Sequence, residues 1–166
     1  METPIISIEE IEMKVIYVRF RGSYVAFRKN ATKLLNQLID YAKKYDLIVE
    51  DWTKILIMYH DNPYITKDND LRTSVAMMVP LDAKIDETED ITSMMIQGKY
   101  MVGHFHMSPK EYGEAWNMMY HEYLFKGNEK PRDTFPFEMY ITEPPRKFSD
   151  KSYTDIYIPI EWSEIL

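Results

Sequence analysis

The chain repeats itself, and the repeat restricts its fold more than any single motif does. Lys14-Val15-Ile16-Tyr17-Val18-Arg19-Phe20 is echoed by Lys99-Tyr100-Met101-Val102-Gly103-His104-Phe105. A serine follows each run, Ser23 and Ser108, and opens a helical stretch. Leu56-Ile57-Met58-Tyr59-His60-Asp61-Asn62-Pro63 is then echoed by Phe137-Glu138-Met139-Tyr140-Ile141-Thr142-Glu143-Pro144, and Met77-Met78-Val79-Pro80-Leu81 by Ile156-Tyr157-Ile158-Pro159-Ile160. Each copy reads strand, helix, strand, strand. One such unit cannot cover both faces of its own sheet, so two must pack together about a pseudo-two-fold axis. The expected fold is α+β, with antiparallel sheets and two main helices. It forms a single domain over 1–166, with a first repeat at about 10–81, an acidic connector at 82–93 and a second repeat at 94–162. In this register Glu138 stands where the first copy has Ile57, and a charge with an aliphatic twin marks the place to look for function.

Periodicity supplies the elements. Glu12 to Phe20 alternates and is rich in β-branched and aromatic residues, which predicts a strand that Gly22-Ser23 ends. From Tyr24 the period becomes helical, with Phe27, Ala31, Leu34, Leu35, Leu38 and Ala42 on one face. Lys54 to Tyr59 and Leu71 to Val79 are the next strands, separated by the turn signal His60-Asp61-Asn62-Pro63. In the second copy Met94 to His106 is a long strand, with a bulge or bend expected at Gly98. Ser108-Pro109-Lys110-Glu111 is a capping box with proline at the first helical position. The helix it opens buries Tyr112, Ala115 or Trp116, Met119 and Tyr123, and Gly127 is expected as its left-handed cap. Phe137 to Thr142 and Thr154 to Ile160 complete the set.

Several function classes fall away on composition. The chain has no cysteine, which removes disulfide scaffolds, thiolate metal sites and cysteine nucleophiles. A net charge of −7 suits nucleic acid poorly, because such binding draws its free energy from neutralising phosphates. There is no signal-peptide pattern and no run of about 18 apolar residues, so a cytoplasmic protein without a membrane span is expected. With 45% hydrophobic residues the chain can bury a proper core and is globular.

Chemistry is expected first at Glu138. Strand alternation puts it with Tyr140 on one face and Phe137, Met139 and Ile141 on the other. Its twins' apolar and aromatic character predicts a carboxylate in an apolar cup, where burial raises its pKa. Such a group suits a cationic ligand. Ring stacking and adaptable methionine packing favour charge and flatness over outline, hence broad specificity. Tyr157, opposite Met78 in the repeat, and Tyr140, opposite Tyr59, are candidates to line the same groove with Ile57 and Trp116. His104 and His106 share a strand face, but their twins are Arg19 and Arg21. They read as a polar face with Phe105 inward, and no metal is expected. No phosphate loop, nucleophile elbow or zincin pattern occurs, so no cofactor is expected.

The run Val18-Arg19-Phe20-Arg21-Gly22-Ser23-Tyr24, with Tyr59-His60-Asp61-Asn62-Pro63, Leu71-Arg72-Thr73, Gly98-Lys99-Tyr100, Phe137-Glu138-Met139-Tyr140 and Thr154-Asp155-Ile156-Tyr157-Ile158-Pro159, resembles the GyrI-like small-molecule-binding domain. That domain stands alone in gyrase-inhibitor proteins and serves as the effector-binding domain of multidrug-responsive bacterial transcription activators. The resemblance spans about residues 10–161. It implies a pocket between the halves for lipophilic, often cationic compounds, with Glu138 contacting the charge and Tyr157 lining the pocket. His106-Met107-Ser108 departs from the Gly-Pro-like turn of many members. No helix-turn-helix precedes residue 10, so a DNA-binding activator is not expected. The resemblance also implies two alternatives: a hydrolase of strained-ring electrophiles in which Glu138 activates water, or a regulator contacting gyrase or a transcription factor.

Overall fold

The computed structural model describes residues 1–162. Among them, six strands and two main helices follow in the order β1 (Ile5–Arg21), α1 (Tyr24–Lys44), β2 (Ile55–Tyr59), β3 (Arg72–Val79), β4 (Ile91–Met107), α2 (Tyr112–Met118), β5 (Phe137–Tyr140) and β6 (Ser152–Ile160). The fold is α+β, and strand, helix, strand, strand occurs twice. Two compact units result. One is Glu12–Gln97; the other joins Met1–Ile11 to the chain from Gly98 onward. No helix among the described residues is long and apolar enough to cross a membrane.

In the Glu12–Gln97 unit β3 is the middle strand, with β1 and β2 antiparallel on its two sides. Ser23 Oγ accepts from the Ala26 N–H at 3.1 Å and so satisfies one of the free donors at the start of α1. The helix buries Phe27, Leu38, Tyr41 and Ala42. Ala31, Leu34 and Leu35 of the expected stripe are only half-buried, so the packed face is narrower than the pattern implies. Phe27 meets Phe20 at 6.0 Å between centroids and Tyr24 meets Tyr59 edge-on at 5.7 Å. Phe20 and Tyr59 therefore point to the helix-covered face of this sheet.

In the other unit β6 is the middle strand, flanked by antiparallel β4 and β5. Gly98 has φ +127°, and a Cβ there would run into the Arg132 guanidinium. That guanidinium lies over the Tyr100 ring at 5.2 Å, and Arg132 Nε donates to the Ile160 carbonyl at 3.2 Å. The bend expected at Gly98 is thus also a close approach. At the capping box, the Ser108 N–H donates to Glu111 Oε2 at 3.3 Å, and Pro109–Glu111 forms a 3-10 turn that leads into α2. The helix then widens into a π-helical segment, Met119–Leu124. Gly127 is not in the left-handed region, which corrects its expected role: the widened turn ends the helix before a glycine cap is needed. Ala115, Met119 and Leu124 bury themselves against Met101, Phe105, Ile156 and Ile158.

The ladders test the repeat residue by residue. Val75 pairs with Val18 on one side and Ile57 on the other; Ile156 pairs with Gly103 and Glu138. Rows Val18–Val75–Ile57 and Gly103–Ile156–Glu138 are equivalent, so Glu138 does replace Ile57. The last-strand echo slips by two residues: Ala76, not Met78, stands opposite Tyr157. A slip of two keeps each side chain on its face, because the strand period is two.

Candidate functional site

Glu138 leaves β5 on the face that α2 covers, and only 2% of it is exposed. Trp116 on α2 donates its indole Nε1–H to Glu138 Oε1 at 2.8 Å. A hydrogen bond to a charged acceptor is one of the strong kinds, and it offsets part of the cost of burying the carboxylate. Gly103 makes this contact sterically possible. A Cβ at that position would collide with the Met119 sulfur and the Phe105 ring, so its glycine lets α2 lie close over the row that ends in Glu138.

Hydroxyls gather beside the carboxylate. Tyr140 follows on the same strand face, and its ladder partner is Thr154, fully buried. Ser152 Oγ and Thr154 Oγ1 lie 3.1 Å apart. The buried Tyr112 hydroxyl of α2 faces the Thr154, Ser152 and Tyr140 side chains, yet makes no hydrogen bond of standard geometry to a described residue. Burial, and then the nearby Glu138 charge, push both the Tyr112 and Tyr140 phenols up from their ordinary range. Each is a neutral phenol near neutral pH. The cluster is thus a buried carboxylate, an indole N–H and two neutral phenols, on a sulfur- and aromatic-rich face.

Of the residues expected to act together, Glu138, Tyr140 and Trp116 do meet. Tyr157 does not join them. It pairs with Phe137 and points to the opposite face, where its ring stacks on Phe137 at 4.5 Å and meets Tyr100 at 6.1 Å. Burial raises its phenol pKa well above the ordinary value. A residue of β6 takes its face from its ladder register, which alternation along one strand does not supply. Ile57 and Tyr59 lie in the Glu12–Gln97 unit, in rows equivalent to Glu138 and Tyr140. Met78 belongs to the alternate set of β3 residues and so to the other face of that sheet. Sequence reasoning missed Tyr112, Ser152 and Thr154. The signal for Thr154 was present, since its row partner in the first copy is another buried threonine, Thr73.

The histidines sit as expected, half-buried around a Phe105 that is 2% exposed. Their partners come from elsewhere in the chain. Asp155 Oδ2 lies 3.1 Å from His104 Nδ1, Ser7 Oγ 2.9 Å from His104 Nε2, and Glu2 Oε2 2.7 Å from His106 Nδ1. Burial raises the Asp155 carboxyl pKa, and His104 partly counters that rise.

Comparison with known proteins finds relatives in sequence and in fold. The sequence pattern of the GyrI-like small molecule binding domain matches residues 1–161. A DNA gyrase inhibitor of Yersinia enterocolitica is 26% identical over 139 residues, covering 82% of this chain and 85% of that protein. The crystal structure of the EcmrR C-terminal domain superposes with a TM-score of 0.73 at 16% identity, over 95% of this chain and 98% of that one. In the EcmrR–DNA complex the same match spans 57% of the EcmrR chain. The structure of SAV2435 bound to tetraphenylphosphonium matches with a TM-score of 0.59 at 15% identity, over 95% of this chain and 94% of that one.

Proposed function

We propose, from the premise that this chain belongs to the GyrI-like small-molecule-binding family, that it holds lipophilic aromatic cations with Glu138 as the counter-charge. The observation that carries this reading is the buried carboxylate itself, set among Trp116, Tyr112 and Tyr140 at a row position where the other copy has isoleucine. A cation about 4 Å from a carboxylate gains about 4 kcal/mol at an effective dielectric near 20, before desolvation. An aromatic face adds about 0.5–2 kcal/mol. A neutral ligand of the same shape gains only the second part. Tetraphenylphosphonium, the ligand held by the SAV2435 neighbour, is therefore a fitting probe. The Trp116 indole N–H, donating to Glu138 Oε1, holds the carboxylate in place and keeps it beside an aromatic face. The π-helical segment next to it is the kind of helix irregularity that recurs at functional sites.

The test is a titration of the protein with tetraphenylphosphonium and with neutral triphenylphosphine oxide, followed by intrinsic tryptophan fluorescence. Glu138→Gln is expected to weaken the cation at least about tenfold while changing the neutral compound less than about twofold. Equal losses for both compounds would refute the charge role. In the same experiment, a wild-type protein that binds neither compound counts against the whole reading.

A further inference from the structure

On the sheet face opposite Glu138, three side chains from three strands stand in the order nucleophile, base, acid. Ser7 Oγ of β1 lies 2.9 Å from Nε2 of His104 on β4, and the other ring nitrogen, Nδ1, lies 3.1 Å from Oδ2 of Asp155 on β6. His104 and Asp155 are direct ladder partners, and the equivalent row of the first copy holds Arg19 and Ser74. The second copy thus has both a base and a carboxylate where its twin has neither. Asp155 is 7% exposed, so the imidazole is held from its buried side. A cavity of about 380 Å³ opens beside the base, walled by Ile5, Ile141 and Tyr153, with His104 and Asp155 in its lining. That volume is in the range that holds a small organic molecule.

We propose that Ser7, His104 and Asp155 form a hydrolytic relay acting on small, activated carboxylic esters. The Ser7 hydroxyl passes its proton to His104 Nε2 as Oγ bonds to the carbonyl carbon. The bond to the leaving oxygen then breaks, and that oxygen takes the proton back from Nε2, leaving an acyl group on Ser7. Water gives a proton to Nε2 and its hydroxide adds to the acyl carbon. Ser7 Oγ departs with that proton, so the sum is ester plus water to acid plus alcohol. Asp155 is a positioning residue, accepting from Nδ1–H so that Nε2 faces the serine. Glu9 sets the pace. Its Oε2 accepts from Ser7 Oγ at 2.8 Å and lies 3.5 Å from His104 Nε2, so it competes for the serine proton and opposes negative charge nearby. A glutamine there removes the charge and supplies an N–H donor instead.

The experiment uses the full chain with p-nitrophenyl acetate, and a fluorophosphonate followed by mass spectrometry. Nitrophenolate should appear in a burst of one equivalent per chain, and the phosphonate adduct should map to Ser7. Ser7→Ala and His104→Gln are each expected to lower the rate at least about tenfold. His121→Gln, which alters an exposed histidine elsewhere, should leave it unchanged, separating the relay from background histidine reactivity. Glu9→Gln should raise the rate several-fold. Asp155→Asn should lower kcat with KM held, and Asp155→Glu should recover part of it. A rate that survives Ser7→Ala, or a folded wild-type protein that carries no adduct on Ser7, overturns the proposal. The adduct test needs no variant, so misfolding of a mutant cannot obscure the result.

Discussion

His60 shows how a single side chain ties this fold to pH. It meets Ser74 Oγ at 2.7 Å, and its pKa is lowered to about 4 by burial first and then by the charges of Arg19 and Arg72. The unfolded chain takes up a proton near pH 6.5, whereas the folded chain refuses it until about pH 4. Stability from this group is therefore complete above about pH 6.5 and drains away as the pH falls toward 4. Partial exposure discounts the effect to on the order of 2 kcal/mol. Urea unfolding at a series of pH values should show wild type losing that much more stability across the window than His60→Gln does. Parallel curves for the two proteins would remove His60 from the account. Glu138 is legible at the same scale, because a broken repeat points to it without any structure. Tyr112 is not. Its role depends on where the capping turn rotates α2, and helical spacing alone explains it equally well as core.

At the scale of elements, one glycine governs how α2 meets its sheet. Gly103 occupies the row position that Val18 fills in the first copy, and its missing side chain admits Met119. Restoring the first-copy residue with Gly103→Val should push α2 outward and stretch the Trp116–Glu138 hydrogen bond. Overpacking of this kind costs about 1–3 kcal/mol. The expected readouts are a lower urea midpoint and altered tryptophan emission, with weaker tetraphenylphosphonium binding. Unchanged emission and midpoint would show that the helix has room to spare. Strands and helices were readable from period and caps, and most ends moved by only a few residues, but β1 starts at Ile5, seven residues before the expected Glu12. The π-helical exit of α2 was not readable, since the sequence Met119–Leu124 carries no signal that separates it from an ordinary last turn. Nor was the face of Tyr157, which is set by how β5 and β6 slide past each other.

For the whole molecule, binding and folding are linked. A ligand that holds only the folded chain adds RT ln(1 + [L]/Kd), about 2.7 kcal/mol at a hundredfold excess over Kd. For a chain of this size each kcal/mol moves Tm by about 2–4 °C. Tetraphenylphosphonium at that excess should raise Tm by several degrees in wild type and, at the same concentration, by no more than about half as much in Glu138→Gln, whose affinity is at least about tenfold weaker. A rise that ignores the substitution would place the cation elsewhere. One boundary has its own practical outcome: the opening eleven residues belong with the later half of the chain, so β1 serves two masters along its length. Trimming the front of the protein, or fusing a bulky tag there, therefore disturbs the neighbourhood of His104 and Asp155 and spares the copy that follows it in sequence.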